Sequence, residues 1–184
     1  AEADPFLTVA EGIIAWKKAD VGSAPDGYLL NDTCLALAGT TPGDWYPIGL
    51  GRLGIADNNA AYLAVIRDQV EARYRQPGKL SSAKATEWHR ITLAVLAMGG
   101  DPTALGIDAD GNPINLIADG IYDRGRTTSL GRQGLNGWIW GLIAMDTGMY
   151  KVPDDAKYTR ETFITEILKM QLTDGVSGNV YGGW

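Results

Sequence analysis

Apolar side chains recur along this chain at the spacing of a helix rather than of a strand. Residues 58–75 place Tyr62, Leu63, Ile66, Val70 and Tyr74 on one face and Arg67, Asp68, Glu71 and Arg75 on the other. Asn58 or Asn59 supplies an N-cap, and Gln76-Pro77-Gly78 a stop. Residues 159–171 repeat the pattern, with Phe163, Ile164, Ile167, Leu168 and Gln171 on one side and Arg160, Glu161, Glu166 and Lys169 on the other. Thr159 is its N-cap candidate. Residues 7–18, with Val9, Ile13, Ile14 and Trp16, form a third amphipathic segment. Strand-type alternation is not sustained anywhere, and the β-branched residues are scattered.

Three other segments have no polar face. Residues 88–98 read WHRITLAVLAM, residues 138–145 read WIWGLIAM, and residues 45–53 read WYPIGLGRL, in which Pro47 is acceptable only in a first turn. A helix without a wet face must be buried on most sides. Gly99-Gly100-Asp101-Pro102 and Thr147-Gly148 provide the stops. From Asp44 onward the expected order therefore alternates inner and outer helices: 45–54, 58–75, 86–98, 113–121, 134–147 and 159–171. Residues 28–38 are expected to be a further inner helix, paired with the first. Trp45, Trp88 and Trp138 open the inner helices at intervals of roughly 45 residues, the period of stacked helical hairpins. The expected fold is all-α, a two-layer α/α toroid or curved array of helical hairpins in one toroid-like domain over residues 1–184.

Composition narrows the chemistry. The 184 residues carry a net charge of −6, which disfavours nucleic acid and anionic lipid as partners. No apolar run approaches the roughly 20 residues that span a bilayer. One cysteine, Cys34, and one histidine, His89, exclude an internal disulfide, a Cys-rich zinc site and any site needing two histidines. The chain begins Ala-Glu-Ala without Met, as a processed or cloned segment does.

Four stretches carry a family likeness. They are 44–50 (DWYPIGL), 85–90 (ATEWHR) running on to Gly100-Asp101-Pro102, 132–137 (RQGLNG) followed by 141–146 (GLIAMD), and 167–171 (ILKMQ) with Asp174-Gly175 and the terminal Gly182-Gly183-Trp184. In this order and spacing the chain resembles the prenyltransferase/squalene-cyclase-like α/α toroid superfamily, and within it the repeat domains of bacterial surface proteins that stand beside transcobalamin-like or Ig-like modules. The last stretch resembles the QW motif of cyclases, with an insertion before Gly182. The resemblance implies a secreted or cell-surface bacterial protein and a ligand cavity near the N-terminal ends of the inner helices. A closed six-hairpin toroid needs about 45 residues per hairpin. The chain is thus expected to form about half to two-thirds of a barrel, as a segment of a longer protein, with a second copy or a missing segment covering the open edge near residues 134–171.

The cavity mouth is expected to be formed by Asp44, Trp45, Tyr46, Glu87, Trp88, His89, Asn136 and Trp138, an aromatic-lined opening with few polar groups, suited to a small organic molecule or a sugar. The competing reading makes the tryptophans core packing and His89 a satisfied hydrogen-bonding residue. Arg124, Arg126 and Arg132 form a basic loop cluster able to grip a carboxylate or phosphate, or simply to pair with neighbouring aspartates.

Catalytic constellations are sparse. Asp108-Ala109-Asp110-Gly111 lacks the second adjacent aspartate of a protonating terpene cyclase and reads as a turn. It also departs from a calcium loop, since Pro113 stands where glycine is needed and Asp119 where the closing glutamate belongs. Cys34 and His89 lack the surroundings of a prenyltransferase zinc site, and Cys34 reads as a buried inert thiol. A thioester Cys-Gly-Glu-Gln is absent, and one histidine without a nucleophile motif makes no triad. Asp44, Glu87 and Asp146 are carboxylates that a glycosidase pair would need, with no spacing that singles them out. No cofactor or metal is expected. A non-catalytic binding or structural module is the leading reading. The alternatives are a catalytic toroid, terpenoid-processing or carbohydrate-active, and a cobalamin-type binder.

Overall fold

A computed structural model describes residues 4–124 and 130–172, and every regular element in them is helical, apart from a single β-bridge between Ile107 and Pro113. The elements are α1 (Pro5–Asp20), α2 (Asp32–Leu35), α3 (Thr41–Leu53), α4 (Asn59–Tyr74), α5 (Thr86–Ala97), a π-turn (Ala118–Tyr122), a 3-10 turn (Leu130–Gln133), α6 (Leu135–Thr147) and α7 (Arg160–Lys169).

The three helices without a wet face lie side by side, α3 against α5 and α5 against α6. α5 is the centre of the molecule: every residue from Trp88 to Val95 is buried. α3, α5 and α6 run in the same direction. Their N-terminal residues meet around one cleft, and their C-terminal residues around a second depression. Close approach is possible because Gly51 of α3 faces the backbone of Ala97 at the end of α5, where a side chain would not fit.

The amphipathic helices return antiparallel. At one end of α4, Asn59 Nδ2 donates to the Met98 carbonyl at 3.5 Å; at the other, the Trp88 indole N–H donates to the Tyr74 hydroxyl at 2.8 Å. Tyr62, Ile66, Val70 and Tyr74, the apolar stripe expected of this segment, are its buried residues. α7 returns beside α6, with Arg160 at its start paired to Asp146 at the end of α6 at 2.6 Å. Phe163 of α7 packs edge-on to Trp138, with ring centroids 5.4 Å apart. Thr159 caps α7 in a reciprocal box with Thr162.

Several expectations are corrected. Residues 28–38 do not form an inner helix. Asp57 accepts the N–H groups of Leu29 and Leu30, and Asn31 caps only the single turn Asp32–Leu35. Residues 113–121 do not form an outer helix either. Pro113 pairs with Ile107 across a loop in which Asp108 accepts the N–H groups of Asp110 and Asn112, and helical geometry begins only at Leu116, two residues before the π-turn. α3 starts at Thr41, capped by Thr40, so Pro47 lies in its second turn rather than its first. Trp45 is 44% exposed, unlike Trp88 at 1% and Trp138 at 6%. α1 buries none of its residues, and Val9, Ile13 and Trp16 of its apolar face are exposed. Cys34 is buried, and burial pushes its thiol up. None of the described helices is long and apolar enough to cross a membrane.

Candidate functional site

The parallel arrangement of α3, α5 and α6 gathers their N-terminal turns around a cleft of about 300 Å³. α3 contributes Thr41 and Trp45, one helical turn apart. α5 contributes Thr86, Glu87, His89 and Arg90, with Lys84 just ahead of it, and α6 contributes Asn136 and Trp140, with Gln133 from the preceding turn. Trp45 and Trp140 meet edge to face across α5, with centroids 5.7 Å apart and planes at 65°. On the far side of this pair the trough continues as a more apolar depression of about 430 Å³ between Ile48, Leu93, Leu96 and Ile143.

Charge at the floor of the cleft is internally compensated. Arg90 uses all five of its N–H groups. Nε donates to Asp44 at 2.8 Å, Nη1 to Glu87 at 2.7 Å and Thr41 at 3.2 Å, and Nη2 to Glu87 at 2.8 Å and the Gly39 carbonyl at 3.0 Å. Asp44 is fully buried and also accepts from the Gly39 N–H at 2.7 Å and the Tyr62 hydroxyl at 2.8 Å. Burial pushes its carboxyl up, opposed by Arg90, Tyr62 and Gly39. At Glu87 burial acts the same way, but Arg90 and then Arg73 outweigh it and hold the carboxyl low. Burial disfavours the Arg90 cation, and Glu87 and Asp44 more than offset it, so the guanidinium stays charged.

The backbone donors of α5 are occupied as well. Gln133 accepts the Thr86 N–H at 3.0 Å and returns a bond to the Thr86 hydroxyl at 2.9 Å. The next N–H groups bond to the carbonyls of Lys84 and Ala85. The free N–H groups expected at this helix start are therefore not offered to a ligand.

His89 is different. Its ring is fully buried, and Nε2 donates to the Gly120 carbonyl of the π-turn at 2.9 Å, which fixes the neutral tautomer with an acceptor lone pair on Nδ1. Among the described residues Nδ1 is buried without a hydrogen-bond partner. Burial drives the imidazole pKa down to about 4, with the Gly120 bond opposing and Arg124 adding to the shift. Gly141 of α6 gives the ring room, since a side chain there would press on His89 and Phe163.

The fold brings Trp45, Glu87, His89 and Asn136 together in this cleft and places Asp44 beneath it. The other expected mouth residues face elsewhere. Tyr46 is half-buried toward α1, with the Lys17 ammonium 5.5 Å from its ring. Trp88 packs on the π-turn and Arg124, and Trp138 packs on Tyr158 and Phe163. Neighbours in a helix point about 100° apart, and here that turn carries Tyr46 away from Trp45 and Trp88 away from His89. The same geometry would have revealed two residues that the sequence reading missed: Thr41 is four before Trp45, and Trp140 four after Asn136. Thr86, Arg90, Lys84 and Gln133 were also missed.

The arginines of the basic loop separate. Arg124 is buried with its guanidinium 4.3 Å from the Trp88 ring, in a second cleft of about 440 Å³ walled by Asp108, Asp110, Asp119 and Asp123. Arg132 is exposed on the 3-10 turn, and Arg126 lies outside the described residues. In the second cleft Lys79 pairs with Asp119 at 2.7 Å. Among the described residues no group of three His, Cys, Asp or Glu side chains is placed to hold a metal ion.

The chain matches no protein-family profile, no curated protein and no solved structure.

Proposed function

We propose that this chain is a non-catalytic ligand-binding module, and that the cleft between the N-terminal turns of α3, α5 and α6 takes a small, uncharged, polar molecule. The observation that carries the reading is the contrast within the cleft. Arg90, Glu87 and Asp44 saturate one another, whereas the wall around them holds the hydroxyls of Thr41 and Thr86, the amides of Gln133 and Asn136 and an exposed tryptophan. Carboxylates committed to a guanidinium are poor acid–base catalysts, which favours binding over turnover.

The side-by-side parallel α3, α5 and α6, with α4 and α7 returning outside them, support an α/α hairpin array of toroid type. In this reading a further hairpin covers the edge where Ile143, Ile164 and Leu168 are exposed. Placement in a bacterial secreted or surface protein rests on the family resemblance alone.

The test is a saturation-transfer NMR screen of neutral, anionic and cationic fragments. Neutral hydrogen-bonding fragments are expected to bind, and to lose binding in Thr86→Val and Asn136→Ala. Binding confined to anions, or no binding at millimolar concentration, overturns the proposal.

A further inference from the structure

We infer that α1 is a self-association element: two copies of this chain pair through an antiparallel contact between the apolar stripes of their first helices. This contact is independent of the cleft and of any ligand.

The stripe is Phe6, Val9, Ile13 and Trp16. Steps of three, four and three residues are those of the a and d positions of a coiled coil, which set all four side chains on one side of the helix. Each is more than half exposed, Phe6 at 83%. The rest of the fold holds α1 by another side. Ile14, one residue on from Ile13 and about 100° round the helix, packs on the core, and the Lys17 ammonium lies 5.5 Å from the Tyr46 ring. The stripe itself stays open to solvent. Apolar residues scattered singly over a surface are ordinary, whereas a contiguous row marks an interaction site.

The order of the residues selects a second copy as the occupant. Inverting a second α1 about Glu11 sets Phe6 opposite Trp16 and Val9 opposite Ile13, so every member of the stripe meets another member, as an isologous two-fold contact requires. Aromatic then faces aromatic, and aliphatic faces aliphatic. Glu11 lies on the far side of the helix from the stripe, so no acid is buried at the axis. Ala10 and Gly12 flank the centre of the stripe, and nothing stands within 4 Å of a Cβ added at Gly12, which leaves room for a close approach.

Charge selects the antiparallel direction. It opposes the two helix dipoles and brings the basic last turn, Lys17 and Lys18, to the Asp4 end of the other helix rather than beside a second basic turn. The same helix is poorly built for an anionic membrane surface, because Asp4, Glu11 and Asp20 outnumber its two lysines. The open area of the four side chains is about 500 Å² per copy, given the 150–250 Å² of a whole aromatic side chain. Two copies therefore approach the roughly 1,000 Å² of a specific interface, at the weak and concentration-dependent end of the range.

The experiment is sedimentation equilibrium of the 184-residue chain from micromolar to submillimolar concentration. A monomer–dimer equilibrium is expected. Val9→Lys and Ile13→Glu, each studied alone, are expected to weaken it by at least about tenfold, since each buries unpaired charge in the contact. α1 buries none of its residues, so both variants are expected to keep the circular dichroism and melting temperature of the native chain. An equimolar mixture of the two variants is expected to dimerise again, because the inverted register sets the two substituted positions face to face. A native chain that stays monomeric at the highest concentration overturns the inference. So does a dimer that neither variant weakens, or a mixture that fails to recover. Co-sedimentation of a monomeric native chain with phosphatidylcholine–phosphatidylglycerol vesicles, lost in Ile13→Glu, would assign the stripe to lipid and overturn it as well.

Discussion

Nε of Arg90 on α5 lies 2.8 Å from Oδ2 of Asp44 on α3, and both side chains are buried, so one ion pair joins the first turns of two neighbouring helices. Removing one partner of a buried pair leaves an uncompensated charge, which costs about 3–5 kcal/mol. Arg90→Met strands Asp44 and Glu87 together and is expected to lose that amount in urea unfolding. Arg90→Lys is expected to recover only part of it, because an ammonium cannot reproduce the fork to Glu87, Asp44 and the Gly39 carbonyl. An unfolding midpoint for Arg90→Met equal to that of the native chain would mean that the pair is not formed.

The stability of the fold is expected to depend on the protonation of His89. The folded imidazole titrates near 4 against an ordinary value of 6.5. Below pH 6.5 the unfolded chain takes up a proton that the folded chain refuses. The contribution is therefore fully present above about pH 6.5 and is lost as the pH falls toward 4, by roughly 3 kcal/mol in all. Burial raises the Asp44 carboxyl as well, so the clean measurement is a difference. Urea unfolding of the native chain and of His89→Gln, which keeps a donor for Gly120, should diverge in slope between pH 4 and 6.5. Parallel curves would show that His89 is not buried as a neutral ring.

The three helix-opening tryptophans are expected to differ sharply. Trp88 is enclosed by Tyr74, Gly120 and Arg124, and Trp88→Ala should cost about 3–5 kcal/mol. Trp45 is half open to solvent and contributes chiefly its edge contact with Trp140, so Trp45→Ala should cost about 1 kcal/mol. Thermal melts of the two variants check the order, and equal losses would place Trp45 in the core.

Gly51→Ala sets two effects against each other. Alanine is favoured over glycine inside a helix by about 1 kcal/mol. The added methyl would run into the Ala97 carbonyl and force α3 away from α5, and overpacking of this kind costs about 1–3 kcal/mol. Because the obstructing atoms are backbone, the loss is expected to win and the melting temperature to fall. A rise would show that the two helices can separate without penalty.

The helices that were legible in the sequence are those whose pattern is long and bounded. The stripe Tyr62, Ile66, Val70, Tyr74 and the continuous burial from Trp88 to Val95 follow directly from residue spacing. Residues 28–38 and 113–121 look helical in composition, yet Asp57, Asn31 and Asp108 offer the backbone side-chain partners that compete with a helix. Periodicity shows that a face can be buried, not what buries it, which is why Ile13 and Trp16 on α1 are exposed. At the site, His89 and Trp45 were found because they open helices. Arg90 was missed because its partner Asp44 is distant in sequence, although Glu87 three residues earlier was a local sign of its pairing.

The common direction of α3, α5 and α6 has an electrostatic consequence. Their macrodipoles reinforce rather than cancel, and the three positive ends converge on one cleft. Asp44 answers that field in the first turn of α3 and Glu87 in the first turn of α5, but the first turn of α6 holds no acid. The potential across the cleft is therefore lopsided. Under the proposed function, a neutral molecule in the cleft would be oriented by it, with its electron-rich oxygens drawn toward the uncompensated start of α6 at Asn136.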